Sequence, residues 1–395
     1  MAINPRQDRE KGLHDRLIEL FRNFHQHPEL SFQEGKTASF ISGSLRDLGF
    51  RVTEKIGQTG IVAVLEGKKP GPVIALRADM DALPIEEETG LSYGSRIEGR
   101  MHACGHDVHM TCALGAAMIL SKETNEMKGS LVLIFQPAEE INLGAKAMIE
   151  DGLFEKFSID MIFGLHNQPD IPSGKIALRE GGLMAAVDRI EISITGKGGH
   201  GGVPHRNIDP IVATGSVIMN LQSIVSRNVN PIDAAVISLG TLQGGTANNV
   251  IPDRIEMTGT VRTFEPEVRN MMEPQIRQVV ENSAAAFGCR GILNYIYQLP
   301  AVMNPPEPTR IVHTAASKVV GENNVVDPTP STGGEDFSLF QEKVAGCFFW
   351  LGVGNPDKGA VHPWHSPKFT IDEDALIIGA KVLAETVRQA MEQLS

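Results

Sequence analysis

Hydrophobic positions in the first part of the chain recur at two different spacings. Leu13, Leu17 and Phe21 lie four residues apart among polar residues, which predicts an amphipathic helix that ends before Pro28. Short apolar runs predict buried strands at 61–65, 73–76, 131–135 and 161–165. Helical patterns lie among these strands, at 37–48 and 109–120. Strands that alternate with helices favour an α/β fold with a mostly parallel sheet covered by helices on both faces.

The pattern changes over residues 186–300. The predicted order is a strand at 189–195, a helix at 210–226, strands at 234–242 and 254–262, a helix at 267–287 and a strand at 291–298. Asp209, directly before Pro210, is the expected N-cap of the first of these helices. This split βαββαβ order is typical of a ferredoxin-like α+β domain.

The alternating pattern resumes after residue 300. It predicts a helix at 310–320, a strand at 347–353 and a closing helix at 374–394. We therefore expect a discontinuous domain made of residues 1–185 and 301–395, with residues 186–300 inserted as a second domain. A chain of 395 residues is long enough for two such domains.

Composition and charge disfavour some classes of binding partner. Acidic residues outnumber basic ones, 48 to 36, and the resulting net charge of -12 disfavours nucleic acid and anionic membrane surfaces. No apolar run approaches the roughly 18 residues that a membrane span needs. The four cysteines are scattered and the first residues are polar, so reduced thiols and a cytoplasmic location are expected.

Side chains of the types that bind metals follow the predicted strands. They are Asp79 and Asp81 in RADMDALP, His102, Cys104, His106, Asp107 and His109 in RMHACGHDVH, Glu139 and Glu140 in QPAEE, and His166. Because the carboxyl ends of parallel strands meet at one edge of a sheet, these side chains are expected to lie close together.

A metal site explains this collection better than separate structural roles do. Taken singly, Cys104 would be a small buried apolar residue and His166 a hydrogen-bonded core histidine. Adjacent Glu139 and Glu140 after a buried strand repel each other unless a cation offsets them. A mixture of thiolate, imidazole and carboxylate suits Zn, Mn, Co or Ni rather than Mg or Ca. One glutamate would bind the metal while its neighbour acts as general base.

A glycine motif at 196–201 raises a competing interpretation. Its GKGGHG sequence matches the G-x-G-x-x-G pattern of dinucleotide sites and follows a predicted strand. Pro204 interrupts any helix that should begin there, so the glycines are better explained as a turn that presents His200. The H-E-x-x-H helix of the common zinc proteases does not occur, which removes that class.

Several motifs together resemble one known family. They are HPELSFQE, RADMDALP, MHACGHDVH, FQPAEE, GLHN, GKGGHGGVPH, NNVIPD, GTVRT and STGGEDFS, spread over residues 20–376. In combination they resemble the aminoacylase-like metallo-amidohydrolases, which include hippurate hydrolase, N-acyl-amino-acid amidohydrolases and plant indole-acetyl-amino-acid hydrolases. The resemblance implies a zinc-peptidase-like catalytic domain with two divalent metal ions, and an inserted lid domain that mediates dimerisation.

The resemblance also assigns residues to the metal centre. Cys104 would bridge the two metals, and the further ligands would be His106, Glu140, His166 and His365. Glu139 would be the base. His362 in VHPW is the local alternative to His365, but the H-S-P spacing of WHSPKF matches the family better. Asp79 replaces a histidine of related carboxypeptidases, so it is not assigned as a ligand by analogy.

Other positions match the family's supporting residues. His200 would polarise the scissile carbonyl, in its own or a partner subunit's site, while Asn249 and Arg262 would bind substrate. For Arg262 the alternative is an ordinary arginine at a strand end. Asp81 would orient the ligands from beneath the metals.

The expected function is hydrolysis of an N-acyl amino acid to a carboxylate and a free amino acid by a homodimeric enzyme. Within the same chemistry, the alternatives are an N-acetyl-diaminopimelate-type deacetylase and a hydrolase of another amide, such as a plant-hormone conjugate. From other classes, the alternatives are a metal-bound protein without turnover and a redox enzyme that uses the glycine turn.

Overall fold

The computed structural model describes the backbone of residues 5–395, and side chains from residue 11 onward. The chain divides into two compact units. The first comprises Met1–Leu183, Met303–Thr329 and Asp336–Ser395, and the second comprises Met184–Val302 and Pro330–Glu335.

Helices and strands alternate along the chain. Up to the second unit they are α1 (Pro5–Gln26), α2 (Gly35–Asp47), β1 (Arg51–Ile56), β2 (Gly60–Glu66), β3 (Lys69–Asp79), α3 (His106–Leu120), β4 (Lys128–Gln136), α4 (Gly144–Glu150), α5 (Leu153–Lys156), β5 (Met161–Pro172), β6 (Ile176–Ala177) and β7 (Gly181–Met184). The second unit contains β8 (Ala186–Thr195), β9 (Gly199–His200), α6 (Pro210–Asn228), β10 (Ala235–Gln243), β11 (Val250–Ile251), β12 (Arg254–Thr263), α7 (Pro266–Ala285) and β13 (Arg290–Leu299). The remaining elements are β14 (Val302–Asn304), α8 (Pro306–Val320), β15 (Val325–Val326), α9 (Phe337–Gln341), β16 (Gly346–Gly354) and α10 (Ala375–Gln393).

The first unit is built on an eight-stranded sheet with the order β1-β2-β4-β3-β5-β16-β6-β15. The pairs β3–β4, β3–β5 and β5–β16 are parallel. The pairs β1–β2 and β2–β4 are antiparallel, so the sheet is mixed, with the expected parallel strands at its centre. A turn of only a few residues joins β1 to β2, and a connection that short cannot return the chain in the parallel direction.

The core of the first unit surrounds the centre of this sheet. Every residue of β16 is buried, and α3 is buried along almost its whole length. Helices α1, α3, α8 and α10 pack against one another, and their apolar side chains join those of the central strands in one cluster. Strands buried on both faces have continuous apolar runs, as at Cys347–Val353.

The second unit has a smaller sheet with the order β10-β12-β8-β13, in which each neighbouring pair is antiparallel. Helices α6 and α7 pack on each other and contribute to a separate apolar core. As predicted, Asp209 caps α6, because its carboxylate accepts a hydrogen bond of 2.8 Å from the Ile211 N–H. The short strands β9 and β11 form a ladder of their own.

None of the helices within residues 5–395 combines the length and the apolar character that crossing a bilayer requires. All four cysteines are free, buried thiols.

Candidate metal centre and active site

Cys104 and His106 are presented by a tight turn at the start of α3. Gly105 between them has a φ of 81°, in the left-handed region that favours glycine. The helix begins at His106, three residues earlier than the pattern predicts. His106 therefore projects from the first turn of a helix rather than from a loop.

Two groups of donor atoms share the thiol of Cys104. The first contains Cys104, His106 and His166, and the second contains Cys104, Glu140 and His365. Within each group the donor atoms lie within 4.8 Å of one another. Cys104 Sγ is 3.5 Å from His166 Nε2, and His365 Nε2 is 3.6 Å from a Glu140 carboxylate oxygen. A thiolate common to two groups is the arrangement that a bridging ligand between two metals requires.

Glu139 and Glu140 are fixed to this site by Asp81. The two Asp81 oxygens accept the backbone N–H groups of Glu139 and Glu140, each at 3.1 Å, and Ser31 donates to the same carboxylate at 2.7 Å. Both glutamates bring a carboxylate oxygen to 3.8 Å from His106 Nε2. Asp81 thus supports the two glutamates from behind, while their side chains converge on the histidine.

The donor set fits divalent metal ions. His106 is fully buried, and neither of its ring nitrogens makes a hydrogen bond of normal geometry. Burial and the neighbouring Glu140 raise the pKa of the Cys104 thiol, and burial raises the pKa of Glu140 to about 7. Two divalent cations would favour the ionised forms of the Cys104 thiol and the Glu140 carboxyl, and would bind a ring nitrogen of His106.

Asp79 belongs to the floor of the site. The buried Arg77 donates to Asp79 at 2.8 Å, to Asp336 at 3.0 Å and to Gln136 at 2.8 Å. The other Asp79 oxygen lies 2.5 Å from His109 Nδ1. Burial alone would raise the pKa of Asp79, but Arg77 and two histidines hold it well below its usual range. Asp79 is therefore already bound to protein partners.

His365 and His362 occupy different environments. The side chain of His365 is 56% exposed, and its backbone N–H donates to the Ala103 carbonyl at 2.9 Å. This bond ties the segment 362–369 to the turn that carries Cys104. Within the described part of the chain, His365 belongs to a ligand group and His362 does not.

His200 and Asn249, which the family resemblance assigns to the substrate, lie close together in the second unit. His200 pairs with Val250 across the β9–β11 ladder, and the carbonyl of Asn249 accepts the Gly201 N–H at 2.8 Å. The Gly202 N–H donates to His200 Nδ1 at 2.9 Å, which leaves Nε2 as the protonated nitrogen of the neutral ring. Arg262 lies on β12, in the four-stranded sheet, and burial lowers its pKa.

The sequence analysis assigned no specific role to Asn167 or His109, although both lie in the motifs it singled out. Asn167 follows His166 in the GLHN motif, and His109 is three residues after His106, on the same face of α3. Both are buried, and Asn167 donates hydrogen bonds to the Cys104 carbonyl and to His109 Nε2. The motif and the helical spacing were the available signals, but the hydrogen bonds that join the two residues follow only from the folded chain.

Residues 75–389 match the peptidase family M20/M25/M40. The chain belongs to this family.

Two relatives and one crystal structure are similar to this chain over almost its whole length. The chain is 44% identical over 386 residues to the N-acetylcysteine deacetylase of Bacillus subtilis, with 98% of this chain and 99% of the relative covered. It is 38% identical to the Arabidopsis thaliana IAA-amino acid hydrolase ILR1-like 2, covering 96% and 86% of the two chains. The crystal structure of the Bacillus subtilis YXEP protein, described as a dinuclear metal-binding peptidase of the M20 family, is similar with a TM-score of 0.85. That structure is 42% identical and covers 97% of this chain and 99% of its own.

Proposed function

We propose that this protein hydrolyses the amide bond of N-acyl amino acids, releasing a carboxylate and a free amino acid. The observation that carries the proposal is the buried Cys104 thiol shared by two groups of donors, with the Glu139 carboxylate beside them. The relatives named for N-acetylcysteine and IAA-amino acids support this substrate class, since both names describe an acyl group joined to an amino acid.

The proposed metal centre holds two divalent ions. Cys104 would bind both, with His106 and His166 completing one side and Glu140 and His365 the other. Bound there, the ions would polarise the substrate carbonyl and make water more acidic. The metals proposed are Mn, Zn, Co or Ni, because the set combines a thiolate with imidazoles and a carboxylate.

Glu139 is the proposed general base and acid. Its carboxylate accepts a proton from the attacking water as the oxygen bonds to the amide carbon. It then gives that proton to the leaving nitrogen as the C–N bond breaks, so that each turnover returns it to the ionised form. Asp81 is the proposed positioning residue, because it holds the backbone N–H groups of both Glu139 and Glu140.

Residues 186–300 are proposed to act as a lid and dimerisation domain, attached to a catalytic domain of residues 1–185 and 301–395. Within the lid, His200 Nε2 carries the proton that would be donated to the carbonyl oxygen as it gains charge. Asn249 and Arg262 are proposed to bind the substrate, with the Arg262 guanidinium matching a free carboxylate.

The proposed assembly is a homodimer. β10 is an edge strand of the four-stranded sheet and carries exposed apolar side chains, including Leu242 at 54% exposure. Such an edge is a surface on which a second copy of the chain can pair.

The proposed location is the cytoplasm, because four free thiols suit a reducing compartment.

A substrate panel with controlled metal content tests the proposal. Chelator-treated protein and protein resupplied with Mn, Zn, Co or Ni would be assayed on N-acetyl, N-benzoyl and indole-acetyl amino acids, and on an N-acetyl amide that lacks the free carboxylate. We expect activity to disappear with chelator, to return with metal and to fail on the carboxylate-free amide. Metal-loaded protein that cleaves none of the acyl amino acids would refute the proposed function.

A further inference from the structure

Asn167 lies at the centre of a hydrogen-bond network behind the Cys104 turn. Its side-chain Nδ2 donates to the Cys104 carbonyl at 2.6 Å, and its backbone N–H donates to His109 Nε2 at 2.9 Å. Its backbone carbonyl is 2.7 Å from His166 Nδ1 and accepts from Trp364 Nε1 at 3.1 Å. Asn167 is fully buried and so contacts three segments that carry proposed metal ligands.

The orientation of the Asn167 amide is fixed by its neighbours. The Nδ2 atom faces two acceptors, the Cys104 carbonyl and His109 Nε2 at 3.0 Å, whereas Oδ1 faces the Trp364 indole N–H at 3.2 Å. Reversing the amide would place its oxygen against a carbonyl oxygen and its nitrogen against an N–H. Only one orientation satisfies all the contacts.

His109 is locked in one tautomer by the same network. The backbone N–H of Asn167 can only donate, so His109 Nε2 must be the unprotonated acceptor. The ring proton therefore lies on Nδ1 and is donated to the Asp79 carboxylate. Asp79 is held in turn by the buried Arg77, so the network ends on a fixed charge.

The turn between Cys104 and His106 is shaped around the Asn167 amide. A Cβ atom on Gly105 would lie 2.3 Å from Asn167 Nδ2, closer than any side chain allows. Gly105 is therefore required for its left-handed φ and also for the close approach of this amide.

We propose that Asn167, held by His109, is the positioning residue of the metal centre. Its side-chain amide fixes the Cys104 backbone by donating a hydrogen bond to the Cys104 carbonyl. Its backbone carbonyl fixes the His166 ring by accepting a hydrogen bond from the Nδ1–H, which leaves Nε2 to bind metal. The inference rests on the metal centre of the proposed function. Residues that orient metal ligands in this way alter metal affinity about 10–100-fold when they are changed.

Cobalt binding to the full-length protein tests this role directly. A Co(II) ion bound to a thiolate gives a charge-transfer absorption band that reports the position of the sulfur. The substitution Asn167→Asp keeps the size of the side chain but replaces the donor to the Cys104 carbonyl with an oxygen. We expect the variant to bind Co(II) at least about tenfold more weakly and to show a shifted thiolate band.

Asn304→Asp is the matched control. Asn304 is a buried asparagine of the same unit that hydrogen-bonds both the N–H and the carbonyl of Phe348, and it belongs to none of the ligand groups found within residues 11–395. This variant should lose stability but retain the wild-type cobalt spectrum and affinity. If Asn167→Asp fails to fold, His109→Asn provides the second variant. It keeps an amide donor for Asp79 but has no atom at the position of Nε2, which accepts from Asn167, and we expect a smaller change of the same kind.

The outcomes separate the two proposals. Wild-type protein that shows no cobalt–thiolate band would remove the metal centre of the proposed function, and this inference with it. A wild-type band that is unchanged in Asn167→Asp would overturn the positioning role alone. Equal loss of cobalt affinity in Asn167→Asp and Asn304→Asp would also overturn it, because the effect would then be one of general stability.

Discussion

At the scale of single residues, two neighbouring glutamates are given different environments. Glu140 lies 3.6 Å from the exposed His365, and burial raises its pKa to about 7. Glu139 and Glu140 both approach His106 while Asp81 holds their backbone N–H groups. Adjacent residues on one turn can therefore divide ligand and base roles, although their chemistry is the same.

The division of roles predicts different defects for the two glutamates. Glu139→Gln should lower kcat by at least about a hundredfold and leave metal content unchanged, because only the proton acceptor is lost. Glu140→Gln should lower the bound metal per chain. Elemental analysis of both variants, alongside their turnover, checks this. A metal-replete Glu139→Gln variant with the wild-type rate would rule out the role of base.

Cys104 is predicted to be protected by metal. The thiol is buried between the two ligand groups, so bound ions would occupy it and block reaction with a thiol reagent. We expect Cys104 to be modified faster in chelated protein than in metal-loaded protein, as measured by peptide mass mapping over time. Cys112, Cys289 and Cys347 are the internal controls. Equal modification rates at Cys104 in both forms would contradict ligation by its sulfur.

At the scale of elements, the sequence predicted most of the long helices and strands and missed several of the short ones. The predicted strand at 347–353 is β16, and the predicted helix at 374–394 is α10, each within one residue at either end. β1 was missed because its residues are mostly polar and exposed at the edge of the sheet. Apolar periodicity reports burial but not strand direction, so the antiparallel pairs of the mixed sheet did not follow from the sequence.

The candidate site was likewise only partly predictable from the sequence. Glu140 and His166 could be proposed as ligands from the sequence because each directly follows an apolar run. Cys104 and His106 lie on a longer loop and the start of α3, and His365 was assigned only through the family resemblance. The partners of Asn167 could not be predicted, since its hydrogen bonds join residues as distant in sequence as Cys104 and Trp364. Contacts of this kind depend on the packed chain rather than on any local pattern.

Helices α1 and α3 are joined by a buried charged pair that predicts a pH-dependent stability. His25 Nδ1 lies 2.7 Å from Asp107, and its Nε2 lies 3.4 Å from Glu87. Burial alone would lower the pKa of His25, but these two carboxylates raise it to about 9. The Tyr93 ring packs against the imidazole from the edge.

The sign of the effect follows from the raised pKa. The stabilisation is complete below the ordinary histidine pKa of about 6.5 and is lost as the pH rises through about 9. We expect the free energy of unfolding of metal-saturated protein to fall by up to about 3 kcal/mol over this window. Denaturant titrations at several pH values check this. In His25→Gln the fall should be absent, and the same slope in that variant would assign it to another group.

At the scale of the whole molecule, the second unit is expected to pair two copies of the chain. We expect light scattering at micromolar concentration to give twice the chain mass. Leu242→Asp on the exposed edge strand β10 should shift the protein towards monomer, because it places a charge in an apolar contact. Ile292→Asp, on the opposite edge strand β13 and 44% exposed, should leave the dimer intact. A monomeric wild-type protein would contradict the proposed assembly.

The position of β16 has a consequence for how the chain is made. This fully buried strand lies between β5 and β6, although about 170 residues separate it from them in sequence. A nascent chain that has emerged as far as residue 300 already contains the main segment of the second unit. At that stage the first unit still lacks β16, Asp336 and His365. Until the last hundred or so residues leave the ribosome, the sheet lacks β16 and the proposed metal centre lacks His365, so we expect the complete site to form only after that segment is made.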